Sequence, residues 1–401
     1  MSYKKFFVFL SLSFLALGTI CLGKSFYANP KKPKNPILLL VNDTSFHYHW
    51  GCFLKTSIVK ENFESFGYKI DSIQTPLLYK IKTAPNIIEN FNSSLVLNNF
   101  QKENPEIIEK IKEAELVVIN AEGTLHGVSN QVVSTFYIAY ISKVFFNKPV
   151  HIINASLFPN DFFLSSDSDE KKFYDFILDK VDSIAFRDAY SFDLFSNFQK
   201  KSVLAFDLIP LYIKNYFNPP SIKSFEKKVV LTGSANLILL QERLEEFYQY
   251  ILYLHQKGYS ITFLAGGLSK GAYDDQKMIQ FFSEKPPLER FSILVANSPE
   301  EWLTALKKSS FILTGRQSVC VAAYSLNTPF ICFSSNTPKI EAFCSEVNKE
   351  QPIISLENPL FLEKLIEVTE TLEKWPDQTR DPDLQKHLTE RAKKNFSFLS
   401  N

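Results

Sequence analysis

FILTGRQSVCVAAYSLNTPFICF, residues 311–333, reads as strand, turn, helix and strand. Phe311–Thr314 is a short apolar run, Thr314-Gly315-Arg316-Gln317-Ser318 a polar turn, Val319–Leu326 a helical pattern, and Phe330–Phe333 apolar again. Two strands joined through a helix form a parallel crossover. Strands that are apolar at every position belong to a sheet with helices on both faces.

The same alternation extends through the chain. Candidate strands Ile37–Val41, Leu116–Asn120, Val150–Ala155, Ser183–Phe186 and Val203–Phe206 are spaced by helical patterns at Cys52–Phe66, Pro105–Glu113, Gln131–Phe146, Lys171–Lys180 and Tyr190–Phe198. After the linker 218–224 (NPPSIKS) it restarts with strand Val229–Thr232, helix Leu237–Gln256, strand Ser260–Ala265, helix Asp274–Phe282, strand Phe291–Val295 and helix Glu300–Leu306. The expected fold is α/β, with two Rossmann-like domains facing a cleft at 36–217 and 226–350. C-terminal helices at 351–401 follow, read at Leu360–Glu373 and Pro382–Lys394.

Composition narrows the function classes. With 45% hydrophobic and 22% charged residues in 401, the chain is globular and not disordered. Lys+Arg 44 against Asp+Glu 43 excludes a bulk polycation for nucleic acid and leaves room only for a local basic pocket. Five cysteines, an odd number with no CxxC pair, argue against a disulfide framework or a cysteine zinc site. Cys320, Cys332 and Cys344 lie in apolar runs and read as small core hydrophobes of a reducing compartment.

The N-terminus differs. Lys4 and Lys5 precede an uncharged run of 18 residues, Phe6–Gly23, and the Pro/Lys linker Asn29–Pro36 follows it. That length suits a single membrane anchor, with a cleaved signal peptide as the alternative. Residues 1–35 are therefore read as a signal or anchor segment with its linker. The body is expected on the cytoplasmic side, or in a secreted or periplasmic position after cleavage.

Ligands of open α/β sheets bind beyond the carboxyl ends of strands. After the first strand come Asn42, Asp43 and Thr44, then His49 just before a helix, where backbone N–H groups favour an anion. His47 and His49 lack a third ligand nearby, so no metal site is expected. After Leu116–Asn120 come Glu122, Gly123, Thr124 and His126, in which Glu122 and His126 form a candidate acid/base pair. Arg187 follows Ser183–Phe186 and suits a carboxylate or phosphate. Gly266 and Gly267 form a small loop fit for a phosphate or sugar, Arg316 starts a helix, and Lys339 closes the last polar cluster. Three cations at strand ends, Arg187, Arg316 and Lys339, call for a small polyanion.

In order along the chain, the NDTS…HWGC opening, VVINAEGTLHG, KPVHIINAS, IAFRDAYS and ILTGRQSVCVAAYSLNTPFICFSSNTPKIEAF resemble the polysaccharide pyruvyl transferase family. The resemblance spans most of Ile37 to Val347. It implies a GT-B-like fold and transfer of a pyruvate ketal from phosphoenolpyruvate, as donor substrate without other cofactor, to a sugar of a surface polysaccharide or its precursor. Arg187, Arg316 and Lys339 would then hold the donor's phosphate and carboxylate. The family's RLH histidine, the expected acid, is here Ser318, and a serine hydroxyl is far too weak to replace imidazole. His126 or His49 would have to supply the proton from across the cleft. The competing readings are a GT-B glycosyltransferase using a nucleotide-sugar, and a non-catalytic binding protein that has lost the acid at Ser318. Expected partners are the anionic donor, the sugar acceptor and, through the N-terminal segment, a membrane; no nucleic acid is expected.

Overall fold

Leu38–Val41 and Val117–Ile119 are fully excluded from solvent, as strands buried on both faces must be. In the computed structural model, residues 35–46, 49–159, 168–220, 227–268, 275–347, 353–374 and 381–400 are described. The apolar run Phe6–Gly23, residues 29–34 of the Pro/Lys linker, His47 and residues 221–224 of the second linker lie outside them. Among the described residues no helix is long and apolar enough to cross a membrane.

Six strands form the first sheet: β1 (Ile37–Asp43), β2 (Lys69–Gln74), β3 (Leu116–Asn120), β4 (Val150–Ala155), β5 (Ser183–Phe186) and β6 (Ser202–Leu204). Their order is β2-β1-β3-β4-β5-β6, parallel throughout. The second sheet holds β7 (Lys228–Ser234), β8 (Ser260–Leu264), β9 (Phe291–Leu294), β10 (Phe311–Gly315) and β11 (Phe330–Cys332), in the order β11-β10-β7-β8-β9, again parallel. Each sheet reverses direction once, between β1 and β3 and between β7 and β10. Such switch points open a crevice at the carboxyl ends of the two strands.

The body Ile37–Asn401 is one compact unit. An apolar cluster joins the two sheets' layers, with Leu54, Ile58 and Leu208 from the first meeting Val319, Ala322 and Phe343 from the second. Burying each such aliphatic side chain is worth about 1.5–3 kcal/mol relative to exposure. Polar contacts then fix the register between halves: Glu346 accepts from the Ala189 N–H at 2.8 Å and pairs with Arg391 at 2.7 Å. The C-terminal helices part company. Helix Phe361–Lys374 joins the core of the second sheet, while helix Pro382–Lys393 returns to the first, where Asn395 accepts from the Asn154 N–H at 2.7 Å.

Two expectations need correction. The pattern Leu237–Gln256 is two helices, Leu237–Glu242 and Leu244–Gln256, because Arg243 leaves helical geometry (φ −106°, ψ 10°). Its guanidinium reaches the carbonyls of Leu356 at 2.9 Å and Asn358 at 3.1 Å. The helix expected at Tyr190–Phe198 ends at Leu194 and continues as a 3-10 turn, Ser196–Lys201. Edge strand β2 was not expected; its burial is partial, and its sequence KIDSIQ has no apolar run.

Candidate active site between the two sheets

Polar residues cluster at the two switch points, and most belong to one hydrogen-bonded system. Asn42, at the end of β1, adopts φ +65°, a left-handed turn that Asn tolerates. Its amide is fully used: it donates to Asn120 O (2.8 Å) and Thr124 Oγ1 (2.9 Å) and accepts from Thr75 (2.9 Å) and Gln131 (3.2 Å). Asp43 pairs with Lys60 at 2.8 Å and accepts from Ser45; burial opposes its charge, but these partners hold the carboxyl below its ordinary value. These residues form the floor of the site and position the turn above it.

Glu122 is the centre of that turn. It adopts φ +48°, an uncommon conformation for a residue other than Gly, Asn or Asp. Its carboxylate pairs with Lys55 at 2.7 Å, both side chains being under 5% exposed, and accepts from Thr44 at 2.6 Å and Asn120 at 3.2 Å. Burial opposes both charges, yet the pairing keeps Glu122 below and Lys55 above their ordinary values. Glu122 is thus a fixed anion and not a poised acid. No hydrogen bond joins it to His126, so the expected acid/base pair does not form. The buried Nδ1 of His126 has no hydrogen-bond partner among the described residues, and burial together with Lys339 lowers its pKa.

Gly123 leaves room for the Arg187 guanidinium, with the aliphatic stem of Lys339 alongside. A Cβ there would lie 2.8 Å from Arg187 Nη2 and 3.6 Å from Lys339 Cδ. Arg187 is itself buried, donating Nε to Ser156 Oγ (2.6 Å) and Nη1 to Asp207 Oδ2 (3.0 Å). Asp207, just past β6, also accepts from Gln317 Nε2 at 3.4 Å, tying Arg187 of the first half to the helix Gln317–Ser325 of the second.

Across the cleft, Arg316 pairs through Nη2 with Asp275 at 2.6 Å, both buried. The other Asp275 oxygen accepts from the N–H groups of Gly266 (2.6 Å) and Gly267 (3.2 Å). That loop, read as a phosphate or sugar site, is therefore filled by a carboxylate of the chain itself. Ser318, the second residue of the helix, faces Gly51: a Cβ on Gly51 would stand 2.3 Å from Ser318 Cβ and 3.5 Å from His49 Cε1. His49 is thereby brought beside Ser318, while His126 lies at the Gly123 turn.

His49 caps the helix Trp50–Ser65, its Nδ1 accepting from Cys52 N at 3.2 Å. Burial lowers its pKa to about 3, and Arg316, Lys55 and Lys339 act in the same direction. The ring is neutral, with its proton on Nε2. Lys339 opens helix Lys339–Glu346; burial and the repulsion of Arg187, Lys55 and Arg316 lower its pKa to about 7. Its Nζ donates to Asn336 Oδ1 at 2.7 Å, and among the described residues no carboxylate reaches it. Sequence reasoning missed Lys55, Asp207, Asp275, Gln317 and Asn336. Asp207 sits just past a strand, where the rule that found Arg187 would have found it. Lys55 carried the signal of a lone charge between buried neighbours. Asp275 had none, because nothing in its spacing links it to Arg316.

Two parallel sheets with polar residues clustered at both switch points make a GT-B-like α/β protein. The model of the polysaccharide pyruvyl transferase family matches residues 44–337, and the chain belongs to that family. No curated protein matches it. Among solved structures it is similar to the UDP-GlcNAc 2-epimerase of Neisseria meningitidis bound to UDP-GlcNAc, with a TM-score of 0.58 at 14% identity over 91% of this chain and 100% of that one. The UDP-GlcNAc 2-epimerase of Methanocaldococcus jannaschii gives a TM-score of 0.58 at 16% identity with the same coverage of each chain. At these identities the likeness is one of fold.

Proposed function

We propose that this protein transfers the pyruvyl group of phosphoenolpyruvate, as a ketal, to a sugar of a surface polysaccharide or its precursor. The observation that carries this reading is the meeting of Arg187 and Lys339 over Gly123, with Arg316 acting on the same Lys339. Phosphoenolpyruvate carries a carboxylate and a phosphate on one small frame. A guanidinium fork suits either group. Cations fixed in a buried cleft stabilise the charge that develops on the departing phosphate more than they would in water. Asp207 and Asp275 hold the two guanidinium groups in place, so the site needs little reorganisation when the donor binds.

A nucleotide-sugar donor is the poorer reading. The Gly266–Gly267 N–H groups, which would cradle a phosphate, are engaged by Asp275. A binding protein without catalysis draws support from Ser318, which supplies no acid where the family has histidine. Calorimetry on the full chain separates the three, titrating phosphoenolpyruvate, UDP and CMP against wild type and Arg316→Lys. Phosphoenolpyruvate binding weakened in the variant supports the proposal. Nucleotide binding alone would overturn it. Phosphoenolpyruvate binding with no release of phosphate on adding sugar diols would favour the binding protein.

A further inference from the structure

We infer that Lys339 is the proton donor to the donor's enol carbon, taking the part that the family assigns to the histidine absent at Ser318. This rests on the phosphoenolpyruvate reading and goes past it by naming the acid. The assignment follows from how the other cations of the cleft are paired. Arg187 is bound to Ser156 and Asp207, Arg316 to Asp275, and Lys55 to Glu122. His49 cannot take a second proton without losing its cap, because Nδ1 already accepts from Cys52 N. His126 has a buried Nδ1 with no hydrogen-bond partner among the described residues, and burial together with Lys339 opposes its taking a second proton.

Lys339 alone among the cleft's described cations has no carboxylate partner, and one of its three N–H bonds goes to Asn336. Its Cδ would lie 3.6 Å from a Cβ on Gly123, at the turn where Arg187 Nη2 would lie 2.8 Å from the same Cβ, which puts the lysine stem at the proposed donor site. The charged and titratable groups around it are Arg187, Arg316, Lys55, Cys52, His49, His126 and Glu341. Burial first, and then the three cations among these, make its ammonium more acidic than an ordinary lysine. A general acid works best when its pKa lies near the working pH.

In the step, an Nζ–H bond breaks with its electron pair left on nitrogen, and the C2=C3 pair takes the proton to make the methyl group. One acceptor hydroxyl oxygen bonds C2 and returns its proton to the Lys339 amine. The second hydroxyl oxygen bonds C2 as the C2–O bond to phosphate breaks, and its proton leaves with the phosphate.

The test needs no acceptor. Full-length protein is incubated with phosphoenolpyruvate in D2O, and NMR follows deuterium entering C3 while calorimetry gives donor affinity. Wild type should exchange, with a rate that falls as pH rises through the lysine's titration. Lys339→Arg keeps the cation but cannot release a proton, so affinity should stay within about threefold while exchange falls about 10²–10⁴-fold. Lys339→Ala should regain exchange with added primary amines, faster for amines whose pKa lies nearer the assay pH. Arginine at 339 with wild-type exchange and the same alkaline limb overturns the assignment. So does loss of affinity in Lys339→Arg, which would make the lysine a phosphate holder. So does a wild type that binds donor without exchange. A wild type that does not bind phosphoenolpyruvate overturns the donor reading itself, and the acid falls with it.

Discussion

Gly51 and Ser318 touch backbone to side chain across the two halves: a methyl on Gly51 would sit 2.3 Å from Ser318 Cβ and 2.4 Å from Ser318 Oγ. Helix Trp50–Ser65 of the first half and helix Gln317–Ser325 of the second therefore approach as closely as their smallest residues permit. His49 occupies the third side of that contact.

A histidine restored at 318 has to fit beside Gly51 and the His49 ring. Ser318→His is expected to overpack this contact and destabilise by about 1–3 kcal/mol, and Gly51→Ala similarly. Neither should raise phosphate release from phosphoenolpyruvate. Denaturant midpoints with an unchanged slope would check the first statement. A stable Ser318→His variant with increased turnover would show that the pocket has room for the family's acid.

The Lys55–Glu122 pair is buried, so removing one partner strands the other's charge. Glu122→Gln or Lys55→Met alone should cost about 3–5 kcal/mol, and the double variant far less than the sum. A denaturation cycle measures the coupling. Additive losses would mean that the two charges are solvated independently. Because Lys55 also acts on His49 and Lys339, the double variant should still bind donor, though with a shifted pH profile.

The parallel sheets were legible because the strands are bare apolar runs: β3, β4 and β5 begin and end at the expected residues. β2 escaped because KIDSIQ lies at a sheet edge, where partial exposure permits polar residues. The cations of the site were readable from the rule that ligands sit past strand ends, since a charge there has few structural excuses. The counter-ion of Arg316 was not. Asp275 lies 41 residues before Arg316, and its local pattern says nothing of that partner. Nor could the pattern tell floor from wall: Asn42, Asp43 and Thr44 follow a strand as Arg187 does, but their polar atoms are committed to the turn and not to the cleft.

Arg316 is bound to a carboxylate with no exposure, so Arg316→Ala is not a clean probe of catalysis. Removing the guanidinium leaves Asp275 with only the two glycine N–H groups, and a loss of about 3–5 kcal/mol is expected. Pairing it with Asp275→Asn should recover much of that stability without recovering donor binding. If the double variant binds phosphoenolpyruvate as wild type does, Arg316 has no part in the donor site.

His49 makes the fold sensitive to acid in a window set by its own pKa. In the unfolded chain it takes a proton near pH 6.5, whereas in the folded protein burial, Arg316 and Lys55 delay that until about pH 3. Between these values the unfolded state holds more protons, so stability is full above pH 6.5 and is lost as pH falls toward 3. His151, lowered to about 4 chiefly by burial, adds to the same slope and stays as background. Asn caps helices as well as any residue, so His49→Asn should keep the cap on Cys52 N with stability at pH 7 changed by less than about 1 kcal/mol. Its urea midpoint should then fall less steeply than wild type between pH 6.5 and 4.5. Parallel curves for the two proteins would mean that His49 takes its proton in the folded state at an ordinary pH, and that the cations around it are screened.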